Sequence, residues 1–173
     1  MTRERFDTLG PPPGTRPRGA LPMRFEIDTD DEHSWPPANS ETLWVLPEPE
    51  ARTYRVLSIP VLADGIAVND TVLGEFANDN LMFKGKITSG GHSTIRIFID
   101  HQVEEGILTE RIAAIISEVE AAGCTVRRSG WDLIVAVDIP TLDAYEHVYD
   151  DCLIPRGEAG ELAVESACMT FDT

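Results

Sequence analysis

The 173-residue chain can bury one core of ordinary size or two small ones, and its 42% apolar residues call for a folded interior. Thirty acidic residues against 14 basic ones give a formal charge of −16, which argues against direct nucleic-acid binding, since neutralising phosphates supplies most of that affinity. No apolar run approaches the roughly 18 residues of a membrane-spanning helix, and the Arg/Pro-rich start lacks the apolar stretch of a signal peptide, so a cytoplasmic protein with no membrane association is expected.

Seven of the 12 prolines precede Glu41, in PPPGTRPRG, ALP and SWPPANS, where few apolar residues offset the entropy of ordering. Residues 1–40 are therefore expected to be a mostly disordered Pro-rich tail. Phe25, Ile27 and Trp35 depart from that composition, and Met23–Ile27 alternates in the manner of a strand that could dock.

From Glu41 to Gly90 short β segments alternate with turn chemistry. Thr42–Leu46 ends at Pro47-Glu48-Pro49, and Tyr54–Ile59 ends at Pro60. Thr71–Phe76 runs into the turn signal Asn78-Asp79-Asn80, followed by Leu81–Ile87. Four or five strands in so short a span predict a small curled sheet or barrel, with a loop marked by Asp64-Gly65 and Asn69-Asp70.

From Gly91 to Thr173 the order is β-α-β-β-α-β. Ile95, Ile97 and Ile99 share one strand face, with Arg96 on the other. Leu108, Ile112, Ile115, Ile116 and Val119 recur at helical spacing, and Gly123 stands where a left-handed C-cap belongs. Cys124–Arg128 and Leu133–Val137 flank Ser129-Gly130 as a hairpin. A second helix follows Pro140, with Thr141 as N-cap, Asp143 complementing the dipole, and Leu142, Tyr145, Tyr149 and Cys152 or Leu153 as its buried face. Glu161–Cys168 alternates as a last strand. The fold class is α+β: a small β-barrel-like or curled sheet, then a ferredoxin-like sandwich, a scaffold that by itself licenses no reaction.

The segment Ser89-Gly90-Gly91-His92-Ser93-Thr94-Ile95-Arg96 joins the two parts and concentrates glycines, an imidazole, hydroxyls and a guanidinium. His92, Ser93, Thr94 and Arg96 are candidate ligand-binding residues, since converging N–H groups and positive charge suit an anion. The same residues also suit a flexible joint whose hydroxyls bond the turn. Trp131, with Arg127 and Arg128 before it, is a candidate partner-binding knob or a packing residue. The histidines show no HxH or HExxH spacing; Cys124, Cys152 and Cys168 form no CxxC and sit in apolar or acidic contexts. No metal or other cofactor and no catalytic assembly is expected, and the cysteines are expected to be buried thiols. No GxSxG elbow anchors a hydrolase triad.

Leu43-Trp44, Ile59-Pro60 followed by Gly65 and Asn69-Asp70, the run Gly91-His92-Ser93-Thr94-Ile95-Arg96, and Gly123-Cys124 together resemble an uncharacterised bacterial family, the domain of unknown function DUF4265. The resemblance spans Leu43 to Cys168. The chain departs from it by an extra glycine before His92 and by its longer Pro-rich start. The resemblance implies a shared fold and no known activity.

Three functions are expected from these features. The first is a non-enzymatic interaction module, of the immunity or antitoxin-inhibitor kind, that captures a basic protein. The second is a small-ligand or anion sensor at His92–Arg96, and the third is a small enzyme with His92 as base. An exposed sheet edge would also allow a homodimer.

Overall fold

The computed structural model describes residues 8–28, 36–129 and 134–171. Backbone contacts divide the chain into two compact units, Met1–Gly90 and Gly91–Thr173.

The first unit is a closed five-stranded barrel of β1 (Leu21–Glu26), β2 (Ser40–Pro47), β3 (Thr53–Val56), β4 (Thr71–Ala77) and β5 (Asn80–Thr88). Consecutive strands pair antiparallel, and β1 closes the ring by a short parallel pairing with β5, Met23 opposite Leu81 and Arg24 opposite Met82. Leu21–Glu26, within the stretch expected to be a mostly disordered tail, is a barrel strand, as the alternation of Met23–Ile27 allowed. The alternation in β1 sends Met23 and Phe25 into the barrel beside Leu43, Val45, Val56 and Val72, and that burial offsets the cost of ordering the strand. Two-residue loops suit strand twist when both residues have positive φ, and Asn78 (φ 48°) and Asp79 (φ 65°) meet that demand between β4 and β5. A side chain at Gly74 would put its Cβ 2.5 Å from the Met23 terminal methyl and 2.9 Å from the Tyr54 ring, so any larger residue there would force these interior side chains to shift.

The strand expected over Tyr54–Ile59 stops at Val56, because residues 57–70 leave the sheet and fold inward. Ile59, Val61, Leu62, Ala63, Ile66 and Ala67 are all buried, so the backbone of this loop must find internal partners. Two fully buried carboxylates provide them. Glu41 Oε2 accepts the N–H groups of Leu62 (2.8 Å) and Ala63 (3.0 Å), while the Val61 N–H reaches Oε1 at 2.9 Å. Asp70 accepts from Ala67 N (2.8 Å) and Gly90 N (2.8 Å), and the Lys86 ammonium lies 2.7 Å from its Oδ2. Asn69, at φ 67°, presses so closely on Gly90 that a Cβ there would fall 2.2 Å from the Asn69 carbonyl carbon.

The second unit is a four-stranded antiparallel sheet in the order β7-β8-β6-β9, from β6 (Ser93–Ile99), β7 (Thr125–Arg128), β8 (Ile134–Ile139) and β9 (Leu162–Cys168). Helix α1 (Glu105–Ala121) and a second helical run pack on the face carrying Ile95, Ile97, Ile99, Val135, Val137 and Ile139. Ile112, Ile115 and Val119 are the buried stripe of α1. The helix closes in a Schellman motif: Gly123 (φ 85°) donates to Glu120 O and Cys124 donates to Val119 O.

The second helical run comprises α2 (Leu142–Glu146), a π-helical stretch (His147–Leu153) and α3 (Ile154–Glu158). Thr141 caps it by accepting the Ala144 N–H at 3.2 Å. Its buried face differs from the expected one: Ala144, Val148 and Leu153 are buried, whereas Leu142 is 41% exposed. The step of five from Val148 to Leu153 spans the π-helical turn, which a regular 3.6-residue period does not anticipate. Tyr145 and Tyr149 are half-buried and stack with ring centroids 5.3 Å apart.

Glu41→Ala should lower stability by at least about 3 kcal/mol, because three buried N–H groups lose their acceptor. Glu41→Gln, which keeps one carbonyl oxygen, should cost less. Urea unfolding of the three proteins checks this ordering, and an unchanged midpoint for Glu41→Ala would mean that the loop is held by other contacts.

Candidate functional site

The Gly91–Arg96 segment enters the sheet as β6, whose neighbours decide what its side chains meet. Thr94 lies opposite Asp138 of β8, which in turn lies opposite Thr125 of β7. His92, just before the strand, places Nδ1 2.8 Å from Asp138 Oδ1, and Thr125 Oγ1 stands 3.5 Å from Oδ2. A His–Asp pair separated by 46 residues in sequence thus forms at the mouth of β6.

Asp138 is buried, and loss of water raises its carboxyl above the ordinary aspartate value; the hydrogen bond and charge of His92, then the Thr125 hydroxyl, pull it back down. The short Nδ1–carboxylate contact holds the plane of the imidazole in one orientation. The candidate hydroxyls are differently placed. Ser93 Oγ accepts the Thr170 N–H at 2.9 Å, and Thr170 Oγ1 donates to the His92 carbonyl at 2.7 Å, so this pair clamps the segment's backbone. Thr94 is fully buried.

Arg96 is 3% exposed and its Nη1 donates to Glu165 Oε1 of β9 at 3.2 Å. Across the sheet, Ala136 stands between Arg96 and Arg127, so these two guanidinium-bearing residues share the face that also carries Thr94 and Asp138. Arg128 points the other way, is exposed, and borders a cleft along α1 lined by Leu108, Ile112, Ile116 and Glu120. The structure thus unites Arg127 with the His92–Arg96 group and separates it from Arg128, while Trp131 lies outside the described residues. Asp138, Thr125 and Glu165 were not singled out from sequence, and no local pattern marks them, because only strand pairing brings them to β6.

Burial raises the Cys124 thiol to about 11, with the charges of Asp138 and Cys152 adding to it, and Cys152 is also raised, chiefly by burial. Neither thiol is an activated nucleophile. Among the described residues no group of three or more His, Cys, Asp or Glu side chains could hold a metal ion, and no helix is long and apolar enough to cross a membrane.

The helical layer of the second unit has a different character. Glu105, Glu110 and Glu120 of α1 are exposed, as are Asp143, Glu146, Asp150, Asp151 and Glu158 of the second helical run. The two arginines of these helices are half-buried and drawn to other acids: Arg156 to Glu118 (2.6 Å) and Glu161 (2.8 Å), Arg111 to Glu161 (3.9 Å).

A family model described as Domain of unknown function (DUF4265) matches residues 41–164. No curated protein matches the chain. A solved structure titled "Novel crystal structure of a hypothetical protein from Neisseria gonorrhoeae" is 20% identical with a TM-score of 0.66, over 88% of this chain and 98% of that one. At that identity the likeness is one of fold.

Because the Cys124 pKa is raised, its protonated form supports the fold below the ordinary thiol value of 9.0, and that support is lost as pH rises through about 11. At pH 8 only about one molecule in a thousand carries the thiolate. Iodoacetamide should therefore label Cys124 at least about a hundredfold more slowly in native protein than in urea. Asp138→Asn, which removes the largest charge contribution, should speed native labelling between about pH 9 and 10. Peptide mapping reads both effects, and rapid labelling of native Cys124 at pH 8 would contradict them.

Proposed function

The chain belongs to the DUF4265 family, whose description assigns no activity, and we propose that it works as a non-enzymatic, cytoplasmic interaction module that captures a basic protein in the manner of an immunity or antitoxin-type inhibitor. The observation that carries this reading is the exposed acidic layer on the helices of the second unit, where the two half-buried arginines are each paired with Glu118 or Glu161 and leave the other exposed acids of the helices without an arginine among them. Such a surface steers and orients a positively charged partner, and salt weakens it, because the screening length shortens from about 10 Å at 0.1 M to about 3 Å at 1 M. The order β7-β8-β6-β9 with helices on one face supports a ferredoxin-like sandwich as the scaffold that displays it.

A second reading, His92 as a catalytic base, is favoured by the 2.8 Å pair with Asp138, which orients the imidazole. It has less support, since Ser93 Oγ already accepts from Thr170 and the Cys124 thiol is protonated at neutral pH. The ligand-sensor reading at the same segment is weakened in a similar way by the Arg96–Glu165 pair.

Affinity capture from native lysate at low and high salt tests the leading reading. A basic protein should be retained at low salt and released at high salt. Retention should fall at least about tenfold in a Glu110→Lys/Glu146→Lys/Asp150→Lys variant, whose changes lie on exposed positions and should leave the melting temperature within a few degrees. Absence of any salt-sensitive partner, or equal retention by the variant, would sink the reading.

A further inference from the structure

The barrel carries a second feature, set apart from the acidic helices by chemistry. Residues 8–20 run along the outside of β2: Leu9 N donates to Ser40 O and Thr42 N donates to Leu9 O, each at 2.8 Å. The Thr8 and Ser40 hydroxyls meet at 2.8 Å. Arg16 on this segment is held in place by an Nε hydrogen bond to the Ala20 carbonyl, and its guanidinium lies 5.5 Å from the Trp44 ring centroid. Those contacts leave its two terminal nitrogens for another partner. Arg24, on the outward side of β1 because Met23 and Phe25 point inward, stands opposite Thr42. Facing these residues across the seam where β1 meets β5 is the β4–β5 turn. Between them lies a cleft of about 360 Å³, lined by Thr8, Arg16, Arg24, Thr42, Phe76 and Asn80, with Asp79 as the one acid among its lining residues.

These two arginines differ from several other bases of the chain. Acids outnumber bases by 30 to 14, and Arg52, Arg55, Lys86, Arg96, Arg111 and Arg156 each stand within 4 Å of a carboxylate. Among the described residues neither Arg16 nor Arg24 makes such a pair, yet both open onto one cleft. Phe76, at 64% exposure, stands above the other exposed large apolar side chains, and it lines the same cleft. Two guanidinium groups supply bidentate recognition of an anionic head, the threonine hydroxyls add donors, and an exposed ring beside them favours a ligand with an apolar or aromatic body. The volume lies within the range of small-molecule sites.

From this convergence we infer that the barrel seam binds a small organic anion, a carboxylate or phosphate monoester attached to an apolar body. Arg16 and Arg24 lie before residue 41, outside the segment that the family model matches, whereas Thr42, Phe76 and Asn80 lie within it, so the N-terminal part supplies the guanidinium half of the site.

The test is an NMR titration of the full chain with phenyl phosphate, phenylacetate, inorganic phosphate and benzyl alcohol. The aryl anions should shift the amide signals of Arg24, Thr42, Phe76 and Asn80 saturably, and the uncharged alcohol should not. The tighter of the two aryl anions identifies the preferred head group. Arg24→Gln, at an exposed position, should weaken aryl-anion binding at least about tenfold, as expected for loss of one charged hydrogen-bonding group. Phe76→Ser should weaken the aryl anions while sparing inorganic phosphate. No saturable shift at these amides with either aryl anion, or undiminished affinity in the Arg24→Gln protein, would overturn the inference. Arg16→Gln gives an independent check on the other guanidinium.

Discussion

A carboxylate with no exposed surface has to replace its lost water with donors from the fold, and Glu41 does so with the consecutive N–H groups of Val61, Leu62 and Ala63. The direction of support runs both ways. The loop's buried backbone obtains an acceptor, and the charge obtains enough donors to remain inside. Asp70 repeats the device at the other end of the loop with Ala67, Gly90 and Lys86. Between the two carboxylates an irregular segment contributes Ala63 and Ile66 to the barrel core, which a loop with unsatisfied backbone could not do.

The two units differ in how they handle charge. In the barrel, Glu41 and Asp70 are drawn inside as structural acceptors, and Arg16 and Arg24 open onto the seam. In the second unit the apolar core lies between helices and sheet, and the acids cover the outside of the helices. The acidic helices proposed to meet a protein and the cleft proposed to take an anion belong to different units, so the two proposals stand or fall independently.

The His92–Asp138 pair shows how a suggestive geometry can serve the fold. Asp138 is buried, His92 and Thr125 offset the cost of its charge, and Thr170 fastens the adjoining backbone. These contacts fix where the chain enters β6 and give His92 and Ser93 structural partners.

Local chemistry was legible wherever one short segment decides its own conformation. The strand faces of Ile95–Ile99, the apolar stripe of α1 with Gly123 at its end, the Thr141 cap and the Asn78-Asp79 turn all follow from periodicity, capping and φ preference. Composition likewise announced an acidic surface. Other features depended on partners distant in sequence. The alternation of Met23–Ile27 allows a docking strand, but only β2 and β5 decide that it closes a barrel, and only the packing of the second helical run decides that Ala144 and Val148 are buried while Leu142 is exposed. Asp138 and Glu165 join His92 and Arg96 only through strand register, and Arg16 and Arg24 meet Phe76 only because the barrel closes. The sequence by itself determined the elements, since their signals lie within a turn or a strand; tertiary structure decided the sites, because each is assembled from residues whose proximity is created by pairing and burial across the chain.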